Sequence, residues 1–89
     1  MDGDGRPGGS LDEQLELVWR NIRTIVASAG MTLEHVVRVT SYLGDVSYAG
    51  ANAAARVKAL GGRAVATTAI VVQTLESSWL VEIEVVAVA

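Results

Sequence analysis

The sequence predicts a small α+β domain with the element order α-β-α-β-β. Three observations support this prediction. An apolar stripe at helical spacing follows a capping signal near the N-terminus, three later segments are rich in β-branched residues, and an alanine-rich stretch separates the first of these segments from the other two. A chain of 89 residues has room for one domain.

The first helix is predicted to begin after Ser10 and to end at Gly30. Ser10 and Glu13 have the spacing of a capping box, in which each side chain accepts a hydrogen bond from the other residue's backbone N–H. Apolar residues then recur every three or four positions and predict the buried face: Leu11, Leu15, Val18, Ile22, Ile25 and Ala29. Residues 1–9, which are rich in glycine, are predicted to form a flexible loop.

The remaining elements are predicted from residue type and from the capping residues and glycines at the segment ends. Residues 34–43 are β-branched and alternating, which predicts a strand. An alanine-rich stretch from about 48 to 60, with Asp45 or Ser47 as the cap and two glycines after it, predicts the second helix. Residues 67–75 and 79–89 predict two more strands, and only residues 76–78 separate them, which favours a hairpin.

Composition narrows the function classes. The net charge of −3, with seven basic residues scattered singly, argues against nucleic-acid binding. No apolar run approaches the roughly 20 residues that a membrane helix needs, and the N-terminus has no stretch like a signal peptide's. The sequence contains no cysteine and no metal-ligand pattern. We therefore expect a cytoplasmic protein without membrane, nucleic-acid or metal partners.

Two acids stand inside the apolar strand that runs from residue 79 to 88. Glu82 and Glu84 are two residues apart, so both side chains lie on the same face of the strand. That face is either solvated, with cross-strand pairs to Arg38, or directed into a site that needs carboxylates. Two interpretations also remain for Thr67 and Thr68. Their hydroxyls bind a ligand, or the two residues are ordinary strand formers.

Residues 10–89 resemble the RidA/YjgF family, also known as endoribonuclease L-PSP proteins. The specific parts are the passage from Gly30 to Asp45, the helical "YAGAN" and the closing "VEIEVVAV". The resemblance implies a chorismate-mutase-like subunit with two helices packed on one face of the sheet. It also implies a homotrimer with clefts between subunits, which hydrolytically deaminate small reactive enamines or imines without a metal or organic cofactor.

The chain departs from the family pattern in two places. Family domains begin with two strands before the first helix, so we expect a RidA-like domain over residues 10–89 that lacks those strands. The family's substrate-binding Arg is replaced by Thr67, which cannot form a bidentate pair with a carboxylate. We therefore expect an altered substrate range.

The resemblance also suggests residue roles. Glu82 matches the acid that positions and activates water, while Glu84 is structural, and Thr67 and Thr68 contact the substrate. Two alternatives remain. The protein is a non-catalytic trimeric module that binds small metabolites, or it is a fragment whose sheet is completed by oligomerisation.

Overall fold

The computed structural model describes residues 10–73 and 79–89. Two helices pack on one face of a three-stranded mixed sheet. The elements in chain order are α1 (Leu11–Ser28), β1 (Val36–Leu43), α2 (Ala49–Ala59), β2 (Ala66–Val71) and β3 (Val81–Ala87). The predicted α+β class and the predicted element order are confirmed. The predicted loop over residues 1–9 lies outside the described residues.

Helix α1 begins where the sequence predicts. The Ser10 hydroxyl accepts a hydrogen bond from the Glu13 backbone N–H at 3.1 Å. After the helix, Gly30 has φ +76°, a left-handed conformation that glycine adopts without a steric cost. Both ends of α1 are therefore set by local residues.

Two residues of the predicted buried stripe are exposed, Ile25 on α1 and Ala29 just after its end. Ile25 is 65% exposed, whereas Val26 is buried together with Leu15 and Trp19. At 100° per residue, Val26 lies only about 20° from Leu15 around the helix, whereas Ile25 lies about 80° away. The core-facing stripe is therefore centred on the Leu15–Val26 line, which leaves Ile25 outside it.

The predicted hairpin between the last two strands is wrong. Strand β1 is central, with β2 parallel on one side and β3 antiparallel on the other. Residues 72–80 separate β2 from β3, which is longer than a tight turn. The Val72 N–H donates to the Leu43 carbonyl and the Gly44 N–H donates to the Leu80 carbonyl, so the chain leaves β2 and enters β3 at the same end of β1.

The sheet has one face against the helices and one face away from them. On β1, the residues facing the helices include Val39 and Leu43, which pack in the core with Val81 and Ile83 of β3. The opposite face, here called the outer face, is defined by alternation and register. Its residues are Arg38, Thr40 and Tyr42 of β1, Ala66, Thr68 and Ile70 of β2, and Glu82, Glu84 and Val86 of β3.

Asp45, a predicted cap of the second helix, instead caps a short turn that precedes this helix. The Asp45 carboxylate accepts a hydrogen bond from the Ser47 N–H at 2.8 Å and caps a short 3₁₀ turn, Val46–Tyr48, that leads into α2. That backbone hydrogen bond, reinforced by the Ser47 side chain, holds the pKa of Asp45 below its usual value.

Among the described residues, no helix is long and apolar enough to cross a membrane.

Candidate functional site

Most polar side chains of the outer face lie in two adjacent rows across the sheet, and Arg38 lies in a third row with Ala66 and Val86. The register places Thr68 and Glu84 on either side of Thr40. In the next row, Ile70 and Glu82 lie on either side of Tyr42. The two glutamates therefore share the outer face, and their nearest strand neighbours include hydroxyl-bearing residues.

Glu82 and Glu84 have different surroundings although they share a face. Glu84 is exposed, whereas Glu82 is half-buried. Glu82 also lines a groove of about 290 Å³ between α1 and β3. The other lining residues are mostly apolar: Val18, Asn21, Ile22, Ile25, Trp79, Val81 and Ile83. Glu82 thus lies on the edge strand β3, where the outer face meets an apolar groove.

The two candidate threonines lie on opposite faces of the sheet. Thr68 is on the outer face with Glu82, and its hydroxyl accepts a hydrogen bond from the Arg38 guanidinium at 3.2 Å. Thr67 pairs with Val39 and so lies on the opposite face of the sheet, where it is exposed and its hydroxyl donates to the Val65 carbonyl at 2.9 Å. A single chain therefore brings Thr68, but not Thr67, to the same face as Glu82.

Arg38 does not form the cross-strand ion pair that the solvated alternative requires. Its one side-chain hydrogen bond within the described residues goes to Thr68 on β2, and it makes no ion pair there with Glu82 or Glu84. Sequence reasoning considered Arg38 only as a partner for these acids. The signal that could have found its place is the alternation of β1, which puts Arg38, Thr40 and Tyr42 on one face.

Arg63 is the arginine nearest in sequence to Thr67, and its side chain forms hydrogen bonds near the start of β1. Its guanidinium donates to the Leu33 carbonyl at 2.8 Å and to the Val36 carbonyl at 3.0 Å. These bonds tie the segment before β2 to the start of β1. Arg63 therefore has a structural role at the end of the sheet.

One buried residue that sequence reasoning missed supports the start of β3. The Gln14 side-chain oxygen accepts a hydrogen bond from the Leu80 backbone N–H at 2.8 Å. This bond fixes β3 against α1 two residues before Glu82.

Over the described residues, no group of three His, Asp or Glu side chains could hold a metal ion.

Known proteins resemble this chain in both sequence and fold. The family described as endoribonuclease L-PSP matches residues 2–89. A solved member of the YjgF/YER057c/UK114 family from Mycobacterium tuberculosis is 28% identical, with a TM-score of 0.88 over 94% of this chain and 72% of its own. A protein of the Rid family from Yersinia pestis is also 28% identical, with a TM-score of 0.79 over 97% of this chain and 69% of its own.

A third solved structure, named for endoribonuclease L-PSP and from Entamoeba histolytica, is 27% identical with a TM-score of 0.86. It is matched over 92% of this chain and 66% of its own, so the chain spans about two thirds of the length of these solved relatives. No curated protein sequence matches the chain significantly. The match along nearly the whole chain and the shared α+β fold together establish that this chain belongs to the endoribonuclease L-PSP family, the RidA/YjgF group.

Proposed function

We propose that this protein hydrolytically deaminates small reactive imines or enamines, with Glu82 as the residue that orients and activates water. The observation that carries the proposal is that Glu82 is half-buried and lies at the border between the outer face and the apolar groove. A carboxylate there can hold a water molecule while the groove shields an apolar part of the substrate. Glu84, on the same face, is exposed.

The chemistry requires only proton transfer and water. Glu82 accepts a proton from water as the oxygen attacks the carbon of the protonated imine, which gives a neutral carbinolamine. Glu82 then returns this proton to the nitrogen, and the C–N bond breaks as the carbinolamine hydroxyl loses its proton, which releases ammonia and leaves a carbonyl compound. No metal or organic cofactor enters these steps.

The threonines support a site that is shared between copies of the chain. Thr68 lies on the same face as Glu82 and offers a hydroxyl to the substrate, whereas Thr67 lies on the opposite face. For Thr67 to contact the same ligand, it must come from a second copy, as in the clefts of a homotrimer. A light-scattering mass of three times 9.3 kDa would support this assembly, and a monomer would contradict it.

The deaminase proposal is tested by measuring ammonia release from imines generated in solution. Glu82→Gln keeps the size of the side chain but removes its basicity, and we expect it to lower the rate by about 100-fold or more. Glu84→Gln is the matched control, because it removes a carboxylate from the same strand face, and its rate should stay within about twofold. Equal rates for wild type and Glu82→Gln would refute the role of Glu82.

A non-catalytic module that binds small metabolites is the second candidate. Thr67 favours it, because this residue stands where deaminase-active members have a guanidinium, and a hydroxyl gives a weaker contact to an anionic substrate. This candidate predicts saturable binding of a small metabolite with no ammonia release above the buffer rate. Turnover that depends on Glu82 would eliminate it.

A further inference from the structure

We propose that the groove between α1 and α2 is the contact surface for a second copy of this chain, with the two α1 helices antiparallel across a two-fold axis. The groove is formed by the helices, whereas the outer face is the side of the sheet that points away from them. The inference is therefore independent of the deaminase proposal and of the clefts that a homotrimer would form. It predicts an assembly with an even number of chains.

The groove has a volume of about 520 Å³ and an apolar floor. Leu15 and Trp19 of α1 line one side of this floor, and Ala51, Ala55 and Ala59 of α2 line the other. Leu15 and Trp19 are also buried in the core, which holds them in place. Because alanine side chains are short, the α2 side of the groove leaves room for the side chains of another helix.

Acidic and basic residues lie at opposite ends of the groove. Leu15 packs in one core cluster with Ala51, whereas Val26 packs in the other with Leu60, so α1 and α2 run in the same direction. From the N-terminal end of the helix pair to its C-terminal end, the charged residues that line the groove are Asp12 and Glu16, then Arg20, Arg23 and Lys58. One end is therefore acidic and the other basic.

This order of charges makes the groove complementary to itself. Glu16 lies two residues before Val18, and Arg20 lies two residues after it. Asp12 lies six residues before Val18, and Arg23 lies five residues after it. Two α1 helices that meet antiparallel at the level of Val18 therefore place the acids of each copy opposite the bases of the other. The same arrangement puts the positive end of each helix dipole beside the negative end of its partner.

The contact between Asp12 of one copy and Arg23 of the other is the ion pair that this interface adds. Glu16 and Arg20 already form an exposed ion pair within one chain at 3.4 Å. Asp12, Arg23 and Lys58 are exposed, and within the described residues none of them forms an ion pair. A two-fold axis repeats the contact between Asp12 and Arg23, so a substitution at either residue changes two contacts.

The size of the helical face sets the expected strength of the contact. Helix α1 has 18 residues and is about 27 Å long, and two packed helices are roughly 20 Å wide. Two such faces bury on the order of 1,000 Å² in total, which is at the lower end of specific interfaces. We therefore expect a reversible association with a Kd in the micromolar range.

The test reverses the charges of this pair in the full chain and follows the mass by sedimentation equilibrium over a range of chain concentrations. Arg23→Asp and Asp12→Arg should each raise the Kd about 10-fold or more, because like charges then face each other across the axis. The double variant Asp12→Arg/Arg23→Asp restores opposite charges, and its Kd should lie within about threefold of the wild-type value.

Glu34→Arg is the matched control, because it reverses an exposed charge outside the groove, and it should associate like wild type. Circular dichroism shows whether each variant is folded. Asp12→Asn and Arg23→Gln replace a charge reversal that is not folded, and each should weaken association about threefold or more. A wild type that stays a monomer or a trimer at every concentration would overturn the inference, and so would single reversals that associate as tightly as wild type. A molecule other than a second copy would then cover the groove, or none would.

The indole of Trp19 shows where the copies meet. Its Nε1–H has no hydrogen-bond partner within the described residues, and the side chain lies at the floor of the groove. The NMR signal of this N–H should shift with chain concentration in wild type and stay constant in Arg23→Asp over the same range. If the mass falls on dilution while this signal stays constant in wild type, the copies meet elsewhere and the inference fails.

Mass and activity together separate this inference from the deaminase proposal. Whether or not the sheets also form a homotrimer, Arg23→Asp should halve the wild-type mass at concentrations between the two dissociation constants. Ammonia release per chain should be unchanged in Arg23→Asp, since Arg23 lies on α1 and Glu82 on the outer face. If no ammonia is released but the mass responds to the charge reversals, the deaminase proposal fails and the helical contact stands. If ammonia release depends on Glu82 and the mass does not respond, the helical contact fails alone.

Discussion

Replacing Gln14 by Met should destabilise the domain measurably. Gln14 is 3% exposed on α1, and its side-chain oxygen accepts the Leu80 N–H at 2.8 Å. Met has a similar length and volume but no strong acceptor, so the partly buried Leu80 N–H loses its partner. An unsatisfied buried donor costs about 1–3 kcal/mol. In a domain of this size, 1 kcal/mol corresponds to about 4–8 °C in Tm, so we expect a decrease of about 4–24 °C.

Thermal unfolding followed by circular dichroism measures this effect, and hydrogen exchange at the Leu80 amide locates it. Glu16→Met is the control, since Glu16 lies on the same helix and, within the described part of the chain, its side chain forms an exposed ion pair with Arg20 at 3.4 Å. That pair should contribute less than about 0.5 kcal/mol. If Gln14→Met melts within about 2 °C of the control, or if the Leu80 amide exchanges at the wild-type rate, the Gln14 bond does not hold β3 against α1.

Three further substitutions test other parts of the fold. The Ser41 hydroxyl is buried without a hydrogen-bond partner among the described residues, so Ser41→Ala should leave Tm unchanged or raise it, and a decrease above about 1 kcal/mol would contradict this. Gly62 has φ +81°, so Gly62→Ala should lower the free energy of unfolding in urea by about 1–2 kcal/mol, and a neutral result would show that the turn rearranges. The pKa of Asp45 is lowered in the folded state, so its stabilisation is present above the ordinary aspartate pKa of about 3.9 and is lost as the pH falls through the lowered value. The Tm difference between wild type and Asp45→Ala should therefore be largest near neutral pH and shrink in acid, and a difference independent of pH would contradict this.

Features that depend on a few neighbouring residues could be predicted from the sequence. Ser10 caps α1, Gly30 ends it and Asp45 caps the turn before α2, and each role is visible within four residues of sequence. The order of strands across the sheet could not be predicted in this way. The proximity of residues 67–75 to residues 79–89 suggested a hairpin, but β1 is the strand with the most buried side chains, and it pairs on both edges.

Only part of the candidate site could be predicted from the sequence, because the rest depends on how the strands pair. Alternation alone places Glu82 and Glu84 on one face, and it also says that Thr67 and Thr68 lie on opposite faces. It cannot say which threonine lies on the same face as Glu82, because that depends on how β2 and β3 each pair with β1. The pairing of Thr40 with both Thr68 and Glu84 decides it in favour of Thr68.

The chemistry of the outer face therefore depends on the register of β2, a strand whose side chains are mostly exposed. A shift of one residue would exchange Thr67 for Thr68 beside Arg38 and Thr40. Buried side chains normally fix a register, but β2 contributes few of them. Its register is held instead by main-chain pairing with β1 and by polar contacts at its sides, of which the Arg38–Thr68 hydrogen bond is one. The same bond thus aligns β2 and orients the guanidinium. A substitution at Thr68 that removes its acceptor should consequently weaken the register of β2.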